Sequence, residues 1–576
     1  THLLLHSSHG SFPIHHPNSS HSKTSKQSKQ VSFQAYSRML QECYLPNEST
    51  LLSLFSSFSG STDMVYGKFL HSLAMEGDLN SHVILGNAII SMYGRCDPST
   101  SCSRIAFNGL NVKNVASWNA FISVLIQHGK YSQEAFQMFE QMKQEGAMAN
   151  TITFVVILHM CANHTILRVG LHVHAYLTGL DAADVDVMVN TALIDMYGKC
   201  GCIKDAELMF QVMPERNVIT WNTMISAYAR SGKACHAGFL FSHMLKESIM
   251  PTDVTFLNVI SAFSSSSQEE SMWRGKQIHA RIVKSLTLNS NISLGNALIG
   301  MYRRFGNLME AHHAFYTMPR HDLVSWNAMI SSYSYYHKVD EVFQLFSDMQ
   351  SRGIVVPNKT TFSSILSTCA SRTALLKGIQ MHALVIISGL HTDLLVCNAL
   401  ISMYGKCGDL IKAQEVFDGM HEHNTVSWNA IFDVYALHGE AKNIEKLYKK
   451  MQSNQALPDL ITFTSILTMC SRLAMVNEAC DFLRSMYQDY GLMPTCDHFN
   501  CVIDLLGRTG KLDEAENVLN SMPIPYGTVS IRALLSACRY RSDLERGERA
   551  AKHVIVLDPN NTGPYTMLTN LYGVVN

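Results

Sequence analysis

Apolar residues recur at helical spacing along this chain, and the pattern is itself repeated. Trp118, Trp221, Trp326 and Trp428 each open a stripe at i, i+3, i+4 and i+7: Trp118/Phe121/Ile122/Leu125, Trp221/Met224/Ile225/Tyr228, Trp326/Met329/Ile330/Tyr333 and Trp428/Ile431/Phe432/Tyr435. Each stripe predicts an amphipathic helix with the indole facing a core. The tryptophans stand 103, 105 and 102 residues apart, a period much longer than one helix hairpin. An asparagine follows every one of them: Asn119, Asn222, Asn327 and Asn429. One residue turns a helix by about 100°, which carries the amide off the buried stripe to where its donors and acceptor can meet a ligand.

Within each period three segments follow in fixed order. After the tryptophan helix comes a second apolar stripe, as in Ala135/Phe136/Phe139/Met142 or Val342/Phe343/Phe346/Met349, giving a hairpin of about 35 residues. The next segment begins Thr-Phe (Thr153-Phe154, Thr255-Phe256, Thr361-Phe362, Thr462-Phe463) and later places a histidine at His71, His174, His279 or His382. The third, shorter segment reads Asn-Ala-Ile-Ile-Ser-Met-Tyr-Gly-Arg-Cys at 87–96, with echoes at 191–200, 296–305 and 398–407. No single hairpin can bury its own stripe, so the expected fold is all-α, a solenoid of stacked helix-turn-helix units.

Composition narrows the partners. The chain has 576 residues, 47% hydrophobic and only 16% charged, so a large area is buried, yet no run of about 18 apolar residues is present to cross a bilayer, and no membrane partner is expected. A net charge of −1 gives no whole-molecule steering toward nucleic acid, which would have to be met by a local face or through its bases. The fifteen cysteines include no Cys-x-x-Cys, and Cys96/Cys102, Cys200/Cys202 and Cys496/Cys501 lack zinc-site spacing. They are read as small buried thiols in a reducing compartment. Residues 1–41 contain no Asp or Glu, and the first thirty are rich in Ser and His with Lys23, Lys26 and Lys29, a composition that suits an organellar transit peptide or a disordered tail.

Three alternating hairpins of about 35, 35 and 31 residues carry the motifs Ser-Trp-Asn-Ala, Gly-Lys-Gln-Ile-His-Ala (275–280) and Asn-Ala-Leu-Ile-Ser-Met-Tyr-Gly-Lys-Cys-Gly (398–408). In these the chain resembles the pentatricopeptide repeat family of land plants, PLS subclass, over residues 48–576. The resemblance implies a right-handed superhelical α-solenoid: a transit peptide and weak first repeat at 1–47, a repeat array of about 14 hairpins at 48–525, and at 526–576 an E-type extension that stops mid-unit, as in a truncated chain. It implies a mitochondrial or plastid protein that binds single-stranded organellar RNA one nucleotide per repeat. The usual task is to select C-to-U editing sites for a deaminase or other editing-complex proteins supplied in trans. The alternatives are RNA splicing, stability or processing and, in a different class, a scaffold for protein segments.

In that family the fifth and last residues of each repeat read a base, with an aliphatic second residue packing beside it. By resemblance the pairs are Asn87/Asn114, Asn119/Asn150, Thr191/Asn217, Asn222/Thr252, Asn296/Asp322, Asn327/Asn358, Asn398/Asn424 and Asn429/Asp459, with Ile219, Val324 and Val426 at second positions. The family code reads Asn with Asp as U, Asn with Asn as C or U, and Thr with Asn as A. Asn222/Thr252 departs from it, and Asn500 has only Pro525 to pair with. Leu52, Val155 and Leu257 occupy the fifth position of Thr-Phe repeats and cannot read a base edge by hydrogen bonding.

Two competing readings come from the residues themselves. Asparagine favours helix starts, so the Asn series could consist of N-terminal caps, although a cap does not account for a second, paired polar residue. Relatives that end in a zinc deaminase carry His-x-Glu and Pro-Cys-x-x-Cys. Here His438-Gly439-Glu440 matches the first, nothing matches the second, and neither catalysis nor a metal or other cofactor is expected. One histidine per period does not make a metal cluster, and a packing or hydrogen-bonding role is expected for the series.

Overall fold

The computed structural model describes residues 48–575, apart from 61–62, 77–81, 98, 130–131, 180–185, 266–268, 286–290, 354, 440–443, 523–526, 542 and 559–561. The leader expected at 1–47, the glutamate of the His-x-Glu match and the suggested partner of Asn500 therefore lie outside the described residues. Among these residues there are 31 helices and no strand. The chain falls into two compact units, one ending at Arg281 and the other beginning at Ile282.

Each unit is a stack of helix hairpins. In the first, Val83–Cys96 packs on Val115–Gln127, Thr151–Asn163 on Val187–Lys199, and that helix on Val218–Arg230. The second repeats the arrangement from Ile292–Arg304 through Leu323–Tyr335, Lys359–Ser371, Leu394–Lys406, Thr425–His438, Leu460–Arg472 and Cys496–Thr509 to Thr528–Arg541. Within each unit the first helices form a row, and most of them also pack against their own second helix. This is an α-solenoid.

The tryptophan stripes fill the cores. Trp118, Trp221, Trp326 and Trp428 are at most 2% exposed. Each meets the edge of a phenylalanine eleven residues earlier, on the second helix of the preceding short hairpin. The pairs Phe107–Trp118, Phe210–Trp221, Phe315–Trp326 and Phe417–Trp428 have ring centroids 4.9, 5.0, 5.0 and 4.9 Å apart, all edge-to-face. Such a pair adds about 0.5–1.5 kcal/mol beyond area burial, so each period carries its own bolt between hairpins.

Glycine sets the spacing at another junction. A Cβ at Gly94 would fall 2.2 Å from Val124 Cγ2, and one at Gly405 2.1 Å from Val434 Cγ2, so the Met-Tyr-Gly helix approaches the following tryptophan helix more closely than any side chain permits. The contact is closed by a hydrogen bond: His128 Nε2 lies 2.8 Å from the Gly94 carbonyl and His438 Nε2 3.0 Å from that of Gly405. Tyr336 donates its hydroxyl to the Arg303 carbonyl at 2.7 Å in the corresponding place.

Candidate nucleic-acid interface

The second member of every proposed pair is a helix N-cap. Asn114, Asn150, Asn217, Thr252, Asp322, Asn358, Asn424 and Asp459 each immediately precede a first helix in extended backbone, and the side chain of each accepts from the backbone N–H three residues on. The accepted bonds run from 2.8 Å at Asp459 to 3.4 Å at Thr252. At Asn114, Asn150, Thr252, Asp322, Asn358 and Asp459 the third residue's hydroxyl returns the bond to the cap's own N–H, a reciprocal capping box. The cap reading thus holds for the second members, while the first members stand inside helices and cap nothing.

Hydrogen bonds join the two members across the junction between hairpins. Asn119 Nδ2 donates to Asn150 Oδ1 at 3.1 Å, Asn327 to Asn358 at 3.2 Å, Asn429 to Asp459 at 3.0 Å, Asn222 to Thr252 Oγ1 at 3.3 Å, and Asn296 to Asp322 at 3.4 Å. Thr191 reaches Asn217 through Thr220: its hydroxyl is 2.9 Å from that of Thr220, which donates to Asn217 Oδ1 at 3.1 Å. In Asn87/Asn114 and Asn398/Asn424 the cap is made but Oδ1 of the facing asparagine is buried without a hydrogen-bond partner, as it is in Asn222, Asn296 and Asn500.

One expectation needs correcting. The asparagine after each tryptophan does leave the apolar stripe, but not for open surface: Asn119, Asn222 and Asn429 are 7%, 9% and 6% exposed, and Asn327 is half-buried. The next hairpin's first turn covers them. The caps are the more open members, Asn114, Asn150, Asn217, Thr252 and Asn424 being exposed.

Beside the pairs runs a row of exposed apolar side chains. Ile219, Val324 and Val426 are 66%, 59% and 58% exposed, and Ile84, Ile152, Met188, Val254, Leu395 and Ile461 hold the same second helical position, also exposed. Val155 and Leu257, at fifth positions of Thr-Phe hairpins, are half-buried and offer no polar group.

Negative charge enters at two caps. Burial raises the carboxyls of Asp322 and Asp459, but it is outweighed by hydrogen bonds: from Ser325, Asn296 and the Val324 N–H to the first, and from Thr462, Asn429 and the Ile461 N–H to the second. Both are held below the ordinary carboxylate range and are ionised at neutral pH.

The periodic histidines have internal partners. His71, His174 and His382 share hydrogen bonds at Nδ1 with the hydroxyls of Tyr93, Tyr197 and Tyr404, the tyrosines of the short-hairpin motif, at 2.9, 2.7 and 2.8 Å. Burial lowers all three imidazoles and pushes the Tyr93 and Tyr197 phenols up to about 12, so both partners are neutral. The hydrogen-bonding role expected of the series is met at these positions. The described cysteines are free thiols, six of them buried and Cys480 exposed. His438, first residue of the His-x-Glu match, is the one that bonds the Gly405 carbonyl.

Known proteins resemble the chain along most of its length. A family model for the PPR repeat family matches residues 113–163, 216–265, 321–371 and 423–472, and a PPR repeat model matches 191–218, 395–425 and 497–523. A pentatricopeptide repeat-containing protein of Arabidopsis thaliana is 31% identical over 537 residues, 93% of this chain and 75% of the relative. A chloroplastic one from the same plant is 32% identical, covering 94% of this chain and 62% of its own length, and a mitochondrial one is 30% identical over 89% and 66%. Of these longer relatives the chain spans somewhat under two thirds. Among solved structures, the pentatricopeptide repeat protein PPR10 from maize superposes with a TM-score of 0.60 at 18% identity, over 96% of this chain and 86% of that one. The same maize protein in complex with an 18-nt psaJ RNA element gives 0.52 at 17% identity, over 96% and 88%.

Proposed function

The chain belongs to the pentatricopeptide repeat family, and from that premise we propose that it is a sequence-specific binder of single-stranded organellar RNA. The observation that carries the reading is the recurring junction: a polar pair, one member capping the next helix, beside an exposed aliphatic side chain, at two of the three hairpin boundaries in each period. Unpaired bases present their Watson–Crick edges to such groups and their faces to such aliphatics, which a closed duplex does not. Support for RNA as the ligand comes from the maize protein solved with an RNA element, and for an organelle as the site from relatives named chloroplastic or mitochondrial.

The finer reading is a C-to-U editing-site recognition factor of the PLS subclass, with residues 526–576 as part of an E-type extension and the deaminase supplied by another protein. His438 is committed through Nε2 to the Gly405 carbonyl, so the His-x-Glu match is read as part of the repeat packing and not as half of a metal site. Binding is tested with the purified chain against a random single-stranded RNA pool and against duplex DNA. Enrichment of one RNA consensus with weak duplex binding is expected, and equal affinity for duplex DNA overturns the proposal. Editing is tested in a plant lacking the gene: loss of C-to-U conversion at one or a few organellar sites is expected, and unchanged editing with altered transcript ends or splicing would reassign it to RNA processing.

A further inference from the structure

The pairs Asn429/Asp459 and Asn296/Asp322 carry the same two residues, yet the structure holds them differently. At the first, Asp459 Oδ1 accepts from the Thr462 N–H at 2.8 Å and from Asn429 Nδ2 at 3.0 Å. Thr462 Oγ1 accepts the Asp459 N–H at 3.1 Å and lies 2.6 Å from Asn429 Oδ1 and 2.9 Å from Asp459 Oδ1, so its one proton has two acceptors in reach and the shorter contact is to Asn429, a contact that Ser325 does not make to Asn296. A carboxylate only accepts, so the amide nitrogen of Asn429 must face Asp459 and its oxygen must face Thr462, which donates to it. The ring of donors and acceptors closes in one sense only, and an amide that could otherwise flip is fixed.

At the second pair, Ser325 donates to Asp322 Oδ1 at 2.8 Å, Asn296 Nδ2 reaches the carboxylate only at 3.4 Å, and Asn296 Oδ1 has no partner. The locked arrangement recurs where a Thr-Phe hairpin follows a tryptophan hairpin: Thr153 to Asn119 Oδ1 at 2.7 Å, and Thr361 to Asn327 Oδ1 at 2.6 Å. It is missing at Asn222, where the cap is Thr252; the Thr255 hydroxyl pairs with that cap at 3.2 Å, and Asn222 Oδ1 is left without a partner.

We propose that Thr462, and by the same geometry Thr153 and Thr361, are positioning residues for base recognition, each holding the neighbouring asparagine amide in one orientation through its hydroxyl, so that the amide's remaining N–H and lone pair offer a base one fixed pattern. The inference rests on the RNA-binding reading above. A locked amide presents one pattern of donor and acceptor to a base, whereas a free one rotates to suit either pattern and discriminates less. Locked junctions are therefore the sharp positions of the recognition site, and the short-hairpin asparagines Asn87, Asn296 and Asn398 the tolerant ones.

The test uses the full chain and selection from a random single-stranded RNA pool, which reads preference at every position of the consensus together. Asn429→Ala identifies the consensus position read by that junction. Thr462→Val removes the hydroxyl at nearly constant volume and is expected to flatten that same position, cutting discrimination between bases about tenfold, the worth of roughly one such hydrogen bond. The other positions should keep their preferences, and Thr462→Ser, which keeps the hydroxyl, should keep the sharp one. A position flattened by Asn429→Ala but still sharp in Thr462→Val overturns the inference while leaving RNA binding intact. A uniform loss at every position, with a lowered melting temperature, also overturns it, because Thr462 would then act only on stability. An intact chain that enriches no consensus overturns both this inference and the function on which it rests.

Discussion

Asn429 is the residue where structure most changes what a substitution should do. Its place off the Trp428/Ile431/Phe432/Tyr435 stripe suggests from sequence that Asn429→Thr leaves stability within about 0.5 kcal/mol, as surface changes usually do. In the fold it is 6% exposed with both ends of its amide bonded. The substitution is therefore expected to cost about 1–2 kcal/mol as well as to shift the preferred base away from the U that the family code gives for Asn with Asp. Thr191, whose hydroxyl reaches that of Thr220 at 2.9 Å, shows that a threonine can keep one of these bonds, which puts the cost toward the lower end. Hydrogen exchange at the start of the Leu460–Arg472 helix and affinity for oligonucleotides varied at one base check the two effects separately. A second residue-scale prediction concerns pH. His71, His174 and His382 are held neutral by burial, so their folded pKa values lie below the ordinary 6.5. As pH falls below about 6.5 the unfolded chain takes up protons that the folded chain does not, and stability declines until the folded values are passed. Thermal melts between about pH 7.5 and 5.5 should show this decline, and His382→Gln should make it shallower.

At the scale of helices, two features set how hairpins meet. Edge-to-face Phe–Trp pairs hold the second helix of each short hairpin to the tryptophan helix that follows, and glycines at 94 and 405 let the hairpin's first helix approach that tryptophan helix. Alanine is the better helix former by about 1 kcal/mol, so propensity alone predicts that Gly405→Ala stabilises. A Cβ 2.1 Å from Val434 Cγ2 reverses that sign. Gly405→Ala is expected to destabilise by about 1–3 kcal/mol, the usual cost of overpacking, and Val434→Ala in the same chain should recover part of it. Denaturation monitored by circular dichroism measures both. Lost stability that the double variant does not restore at all would place the clash elsewhere.

For the whole molecule the relevant quantity is charge. With 45 basic and 46 acidic residues the chain offers little net attraction to phosphates, so on the proposed function RNA affinity is expected to come mainly from the paired junctions and the aliphatic row. Salt sensitivity reports this directly, because each neutralised phosphate releases condensed counterions. The logarithm of affinity for the selected RNA is expected to fall with log salt at a slope well short of one phosphate per hairpin. A slope implying a contact at every hairpin would mean that a local basic track, and not the paired residues, supplies the binding energy.

Helices, hairpins and buried tryptophans were legible in the sequence because they rest on local periodicity: a stripe at i, i+3, i+4 and i+7 belongs to one helix and survives any arrangement of its neighbours. The pairs were legible too, through their recurrence and the family resemblance. Phenylalanine eleven residues before each tryptophan was visible at 107, 210, 315 and 417, but the contact it makes was not. Tertiary structure decided which surfaces were covered. Asn119, Asn222 and Asn429 stand on the polar side of their own helices and are buried by a hairpin whose first turn lies about thirty residues further on. It likewise decided that the second member of each pair caps a helix, that in five of the pairs the first lends it a donor, and that Thr462 closes a ring which Ser325 leaves open. Hydrogen bonds of that kind depend on the distance between two helices, and packing sets that distance.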